Sequence, residues 1–363
     1  MKKRILFFII GLLALNLFAV EKLDVLPGKT FIFDYQGNMF ANYGTFSIAK
    51  YSPSGERLLI MGQRGEGPGD FKRLGWFAIN PADNIIYTTE FVGGNRWISK
   101  FSLEGKYLGE WKSDFDWEKY NGISYVDFDS EGNFYLQTEN TLSNRYKDFT
   151  LGTVEKTILK YSPTGKLVKE LYKMNTDFFC ARDGKGNVTI PFHNYLSWIV
   201  YKNKLIIREH WGESLKVYTL DGSIEKEIKL PFNREKIRQK DIEEWENWMK
   251  SFPEVKKSIA EGILDLKYWR NRIPFPKYKP ISGDKLYVDS HGNVFSKKYS
   301  FLNDADTTWA IINLEKASSS IINFKQGEKL IGIWKDYFFF STKDDEDNYA
   351  VLKKNEKEIY PGA

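Results

Sequence analysis

Cysteine is almost missing from this chain: Cys180 is the only one in 363 residues, so no intramolecular disulfide can form. Histidine is nearly as scarce, with His193, His210 and His291 the full set. No Gly-x-Ser-x-Gly elbow occurs, so acyl transfer by a Ser-His-Asp set has no local signature. Clustered positive charge is lacking as well. The formal charge of +5 includes Lys2, Lys3 and Arg4, and without those three it is +2. A nearly balanced surface with interspersed charge excludes the basic footprint that nucleic acid requires.

Long apolar runs are confined to the N-terminus. Lys2, Lys3 and Arg4 precede an apolar stretch from Ile5 to Leu15 and then Asn16-Leu-Phe-Ala19. That is the pattern of a secretory signal peptide, and it is short for a membrane span. It predicts a signal peptide over 1–19 and a single domain over 20–363. The mature chain is then exported, periplasmic or extracellular, with no integral membrane span after cleavage. No cysteine directly follows the run, so a bacterial lipid anchor has no residue to use.

What the chain does have is a repeat. Tyr51-Ser-Pro-Ser-Gly55, Phe101-Ser-Leu-Glu-Gly105, Tyr161-Ser-Pro-Thr-Gly165 and Tyr218-Thr-Leu-Asp-Gly222 start 50, 60 and 57 residues apart. A second turn signal precedes each, as in Asp34-Tyr-Gln-Gly-Asn38, Asp129-Ser-Glu-Gly-Asn133 and Asp289-Ser-His-Gly-Asn293. Gly and Asn tolerate the positive φ of tight hairpins, so each unit reads as two hairpins, or four strands. Four short antiparallel strands at this period predict an all-β fold, a β-propeller. The 27 Phe, 21 Tyr and 11 Trp suit the wedges between twisted blades.

The first hairpin recurs seven times, at Asp34, Asp83, Asp129, Asp183, Asn203, Asp289 and Asp336. The second recurs six times if weak forms at Leu314 to Ser318 and Lys353 to Glu356 are admitted. The reading is six blades, with seven as the alternative and Asp177 to His193 an extra strand pair ahead of the fourth blade. Ring closure is expected from an N-terminal strand pairing near Tyr349 to Leu352. From Asn233 to Trp269 the pattern turns helical, with stripes at Ile237, Trp245, Trp248, Met249 and Phe252 and at Val255, Ile259 and Ile263. This predicts a helical insertion over 231–280, its tryptophans packing onto the propeller.

The loop Gly62-Gln-Arg-Gly-Glu-Gly-Pro-Gly-Asp-Phe71 resembles one found in an exported bacterial six-bladed β-propeller family, related to NHL-repeat propellers and largely uncharacterised. Ile190-Pro-Phe192 followed by Trp198, and Ile273-Pro-Phe-Pro276 ahead of Leu286-Tyr-Val-Asp-Ser-His-Gly-Asn293, match the same family. The resemblance spans essentially the whole mature chain. It implies fold and export, and carries no catalytic motif.

Candidate chemistry is sparse. The glycine-rich loop lacks the Gly-Lys-Ser/Thr ending of a phosphate loop, although Arg64 and Asp70 are candidates for contacting a ligand from it. Asp127-Phe-Asp129-Ser-Glu131-Gly132 echoes the start of a calcium loop, but Thr138 stands where its final Glu would be. Six residues beyond a turn asparagine lie Glu90, Glu139 and Glu209, with His193 at the same offset, which predicts one level near the end of each second strand. The long connection from Asn140 to Glu155, the insertion over 231–280 and the acidic loop Asp344-Asp-Glu-Asp347 are expected on that same face.

The leading expectation is therefore a non-catalytic exported binding module without a cofactor, recognising a protein, peptide or glycan through this loop-rich face. Arg64, Asp70, Glu90, Glu139, His193 and Glu209 are its candidate ligand contacts. The alternative is a metal-dependent propeller enzyme of lyase or lactone-hydrolase type, with Glu90, Glu139 and Glu209 holding a divalent cation such as calcium. A scaffold of the cell envelope would instead expose an apolar patch, with Trp245, Trp248 and Trp269 as candidates.

Overall fold

The computed structural model of the chain describes residues 21–25, 30–90, 98–111, 113–120, 122–146, 149–176, 180–183, 186–190, 192, 195–273, 275–299, 307–343 and 348–360. The proposed signal peptide, His193 and the acidic loop 344–347 lie outside them.

The recurring acidic turn explains itself. Asp129 Oδ1 accepts the backbone N–H groups of Glu131 and Asn133 at 3.0 and 2.9 Å, and Oδ2 accepts Asn133 Nδ2 and the Tyr135 hydroxyl at 2.8 and 2.9 Å. Asp34 and Asp289 bind their own turns in the same way. A buried aspartate thus caps the turn, and the asparagine four residues on locks it.

These turns join the first two strands of blades 1, 3 and 5, and the chain forms six blades of four antiparallel strands. Blade 1 comprises Phe31–Phe33, Met39–Tyr43, Ser47–Tyr51 and Arg57–Met61. Blade 2 comprises Leu74–Asn80, Ile85–Glu90, Ile98–Phe101 and Tyr107–Trp111. Blade 3 comprises Ile123–Phe128, Phe134–Tyr146, Phe149–Tyr161 and Leu167–Asn175. Blade 4 comprises Leu196–Tyr201, Lys204–Glu209, Ser214–Thr219 and Ile224–Lys229. Blade 5 comprises Ser282–Val288, Asn293–Lys298, Thr308–Asn313 and Ser318–Asn323. In blade 6, Lys329–Trp334, Tyr337–Lys343 and Tyr349–Asn355 are completed by Glu21–Leu23, which pairs Leu23 with Val351 and Glu21 with Lys353.

The first strand of every blade touches the first strands of both neighbours, so six inner strands ring a central channel. The weak turn expected at Lys353 to Glu356 is not a hairpin. The third strand of blade 6 runs there into the helix Glu356–Ile359, because its partner comes from the other end of the chain.

Each seam between blades is its own apolar core. Between blades 1 and 2, for example, Phe40, Ile48, Phe71, Phe77, Ile86 and Phe101 pack together. Leu23, Phe31, Met39, Phe339 and Val351 seal blade 6 to blade 1.

The connection expected from Asn140 to Glu155 is not a loop. The two middle strands of blade 3 continue through it as a hairpin of 13-residue strands, favoured by β-branched and apolar residues such as Thr141, Leu142, Thr150, Leu151 and Val154. The extra strand pair, Cys180–Asp183 and Gly186–Thr189, adds to the free edge of that extension opposite Thr150 to Gly152. The helices Gln239–Ser251, Pro253–Ala260 and Leu266–Arg270 then cover it. Trp245 and Trp269 are fully buried against Leu151, Ala181, Val188 and Ile190, so neither contributes to an exposed patch.

Candidate functional site

The inner strands of blades 2, 3, 5 and 6 share an irregularity. Near its start each carries a β-bulge, placing Gly75 and Trp76, Ser124, Asp284 and Lys285, and Ile331 outside the regular ladder. A bulge re-aims a side chain. In blade 2 the bulge requires glycine beside Trp76, since a Cβ on Gly75 would lie 2.7 Å from Thr89 Oγ1, while that hydroxyl accepts the Trp76 N–H at 3.0 Å.

Three of these re-aimed side chains, Trp76, Ser124 and Lys285, line a cavity of about 260 Å³ at the mouth of the channel. Tyr125, Gln137, Glu139, Lys156 and Trp198 complete much of its wall. It opens on the face that carries the connections between blades, the face the sequence selects.

The aromatic walls interlock. Tyr125 stands edge-on to Trp76 and Trp198, with ring centroids 5.5 and 4.9 Å away. Lys285 Nζ crosses from blade 5 to sit 4.0 Å from the ring centroid of Trp76, the blade opposite. Trp198 Nε1 donates to Gln137 Oε1 at 2.9 Å, and Gln137 Nε2 donates to Ser124 Oγ at 2.8 Å and Glu139 Oε1 at 3.3 Å. Glu139 also takes Lys156 Nζ at 2.9 Å. One polar chain therefore ties blades 3 and 4 together along this wall.

Behind Ser197, on the blade 4 side, lies the fully buried Arg208, whose guanidinium donates to Ser197 Oγ at 3.2 Å and to Ser296. His210 Nε2 lies 3.1 Å from the same hydroxyl. Asp127, two residues along the strand from Tyr125, accepts Val200 N–H at 2.8 Å and Phe128 N–H at 2.9 Å. Desolvation by burial raises its carboxyl to about 6, against the lowering effect of these two N–H groups. Burial and the charge of Asp127 in turn push the Tyr125 phenol well above its ordinary range.

Of the described residues named from sequence as candidate ligand contacts, Glu139 alone lines this cavity. Glu209 sits in the seam facing blade 3, where it accepts the Tyr172 hydroxyl and lies 3.6 Å from Lys216. Glu90 lies opposite Leu74 in its ladder, and strand alternation sets it on the same face as Ile86, toward blade 1. Equal offsets thus do not give equal directions. Blade 4 turns through two left-handed residues, Lys202 and Asn203, whereas blade 3 uses the longer aspartate turn, and a one-residue shift reverses every side chain.

The glycine-rich loop is self-contained. Asp70 accepts Gly67 N–H at 3.1 Å, and Arg64 stacks over Phe46 at 5.5 Å. Gly62 adopts φ +74°, where a Cβ would lie 2.2 Å from the ring of the fully buried Phe71. Asp127 and Asp129 likewise point to different partners, the backbone of blade 4 and their own turn.

Among the described residues, one group of three His, Cys, Asp or Glu side chains gathers its ligand atoms within 4.8 Å: Asp289, His291 and Glu356. Its central member, Asp289, is occupied by its turn and by the Tyr360 hydroxyl.

No family model matches the chain, and no curated protein matches it in sequence. Among solved structures, it is similar to a protein of Bacteroides fragilis NCTC 9343 named as exported, at 12% identity and a TM-score of 0.50, covering 93% of this chain and 95% of that one. It is equally similar to a member of the DUF4221 family from Bacteroides vulgatus ATCC 8482, at 11% identity and a TM-score of 0.50, covering 92% and 95%. The likeness is one of fold. No helix among the described residues is long and apolar enough to cross a membrane.

Proposed function

We propose that the chain is an exported, non-catalytic binding module that seats one sugar ring of a glycan in the mouth of its channel. The observation that carries this is the cavity of about 260 Å³ whose wall alternates aromatic rings with hydrogen-bonding groups. Trp76 and Tyr125 offer apolar surface to the C–H face of a sugar, while Ser124, Gln137 and Glu139 offer hydrogen-bonding atoms to its hydroxyls. The volume suits one sugar ring. Glycoside hydrolysis uses a pair of carboxylates, and among the lining residues Glu139 is the single one, already ion-paired with Lys156. The N-terminal signal pattern supports export.

The test is glycan-array screening of the mature chain, followed by calorimetry on the hits. Saturable binding is expected, weakened at least tenfold by Trp76→Ala and largely retained by Trp76→Phe. An array without hits, or Trp76→Ala binding as well as wild type, would overturn the reading.

A further inference from the structure

We infer that this mouth reads a sugar hydroxyl by its proton: the strip formed by Ser124, Gln137 and Glu139 presents acceptors only, so a hydroxyl laid against it is bound as a donor. The inference rests on the saccharide reading and deepens it. Trp198 sets the direction, because an indole has a proton to give and no lone pair to offer. Its Nε1 donates to Gln137 at 2.9 Å, so the atom it meets is the amide oxygen, and this fixes which way round the amide stands. A reversed amide would set one donor against another in a buried place, since both side chains are buried.

With Oε1 turned to Trp198, Gln137 Nε2 gives its two protons to Ser124 Oγ at 2.8 Å and Glu139 Oε1 at 3.3 Å. The Ser124 hydroxyl, placed by the bulge in its strand, donates to the Gln137 carbonyl at 3.3 Å. Glu139 Oε1 also receives Lys156 Nζ at 2.9 Å. Every side-chain proton of the strip is thus directed at protein. What remains for a ligand is a lone pair on Ser124 Oγ and Glu139 Oε2, which meets no protein donor among the described residues. Lys156 and Lys285 also line the cavity, the first against Glu139 and the second over Trp76, and are donors in their own right. A hydroxyl that lies away from the strip can meet them as an acceptor.

Calorimetry of the mature protein with the methyl glycosides of glucose, galactose and mannose selects the tightest of the three, and its monodeoxy and monodeoxyfluoro derivatives at each hydroxyl in turn test the inference. Fluorine keeps the size and weak accepting power of a hydroxyl and lacks its proton. At one hydroxyl or more, the fluoro and deoxy derivatives are expected to lose affinity equally, by about tenfold or more. In Ser124→Ala or in Glu139→Gln, according to which acceptor is used, the fluoro penalty at that hydroxyl is expected to fall below about threefold. Where Glu139→Gln does not fold, Glu139→Asp takes its place, keeping the charge and withdrawing the carboxylate from the strip. Fluoro derivatives that match the parent, or that bind better than their deoxy counterparts, at every hydroxyl would overturn the inference and leave the saccharide reading standing, as would a full fluoro penalty surviving in both folded variants. Failure of all three glycosides would overturn the inference, and with an empty array the saccharide reading as well.

Discussion

Asp127 shows how one residue can set a pH response. Its carboxyl titrates near 6 in the folded protein against an ordinary 3.8, because burial disfavours the charged form more than two backbone N–H groups favour it. Between those values the folded chain holds a proton that the unfolded chain has released. Its contribution to stability is therefore present at about pH 4 and is lost as pH rises through 6. The amount is of the order of 2 kcal/mol. Asp127→Asn is expected to flatten the decline of unfolding free energy between pH 4 and 7 by that amount, as measured by urea titration at several pH values. Equal slopes for variant and wild type would mean that the carboxylate is solvated. Glu235 and Asp241, held low by Lys298 and Lys279, act in the opposite sense below the ordinary carboxylate range, and the comparison of variant with parent cancels them. Nothing in the sequence marks Asp127 for this role; it reads as the first acid of a calcium-like run, and only the docking of Val200 buries it.

At the scale of elements, the hairpins were legible and their directions were not. The Asp-x-x-Gly-Asn and aromatic-Ser-x-x-Gly turns name their own hydrogen bonds, so the blades follow from the chain. Which face a strand residue occupies depends on turn length, and Glu139 departs from Glu90 and Glu209, which both face the preceding blade, for that reason. The bulges that aim Trp76 and Lys285 left only faint marks, Gly75 and Gly283 inside strand patterns, which could have been read as irregular points. The closing strand is the element most exposed to test. Leu23 is 2% exposed and packs with Phe339 and Val351, so Leu23→Ala should cost about 2 to 4 kcal/mol, although only three residues pair. Denaturant midpoints for this variant check the expectation; an unchanged midpoint would mean that the ring holds without its closing strand.

For the molecule as a whole, the centre of the ring is a channel, and the apolar cores lie in the seams around it. Phe40 belongs to the seam between blades 1 and 2, and Phe338 to that between blades 5 and 6. Because every blade shares a core with both neighbours, loss of either should weaken the same cooperative unit. Phe40→Ala and Phe338→Ala are each expected to lower one common melting transition, seen alike by far-UV circular dichroism and tryptophan fluorescence. Two separated transitions would instead mark the ring as an assembly of independent parts. The seam at blade 6 has a further consequence. Lys353 Nζ meets Glu21 at 2.8 Å across 332 residues of chain. A nascent chain emerging from its N-terminus must carry Leu23, Val25 and the Phe31 side of blade 1 uncovered until the strand Tyr349–Asn355 is synthesised. Closure of the ring therefore waits for that strand, which leaves the preceding chain threadable until it has been made.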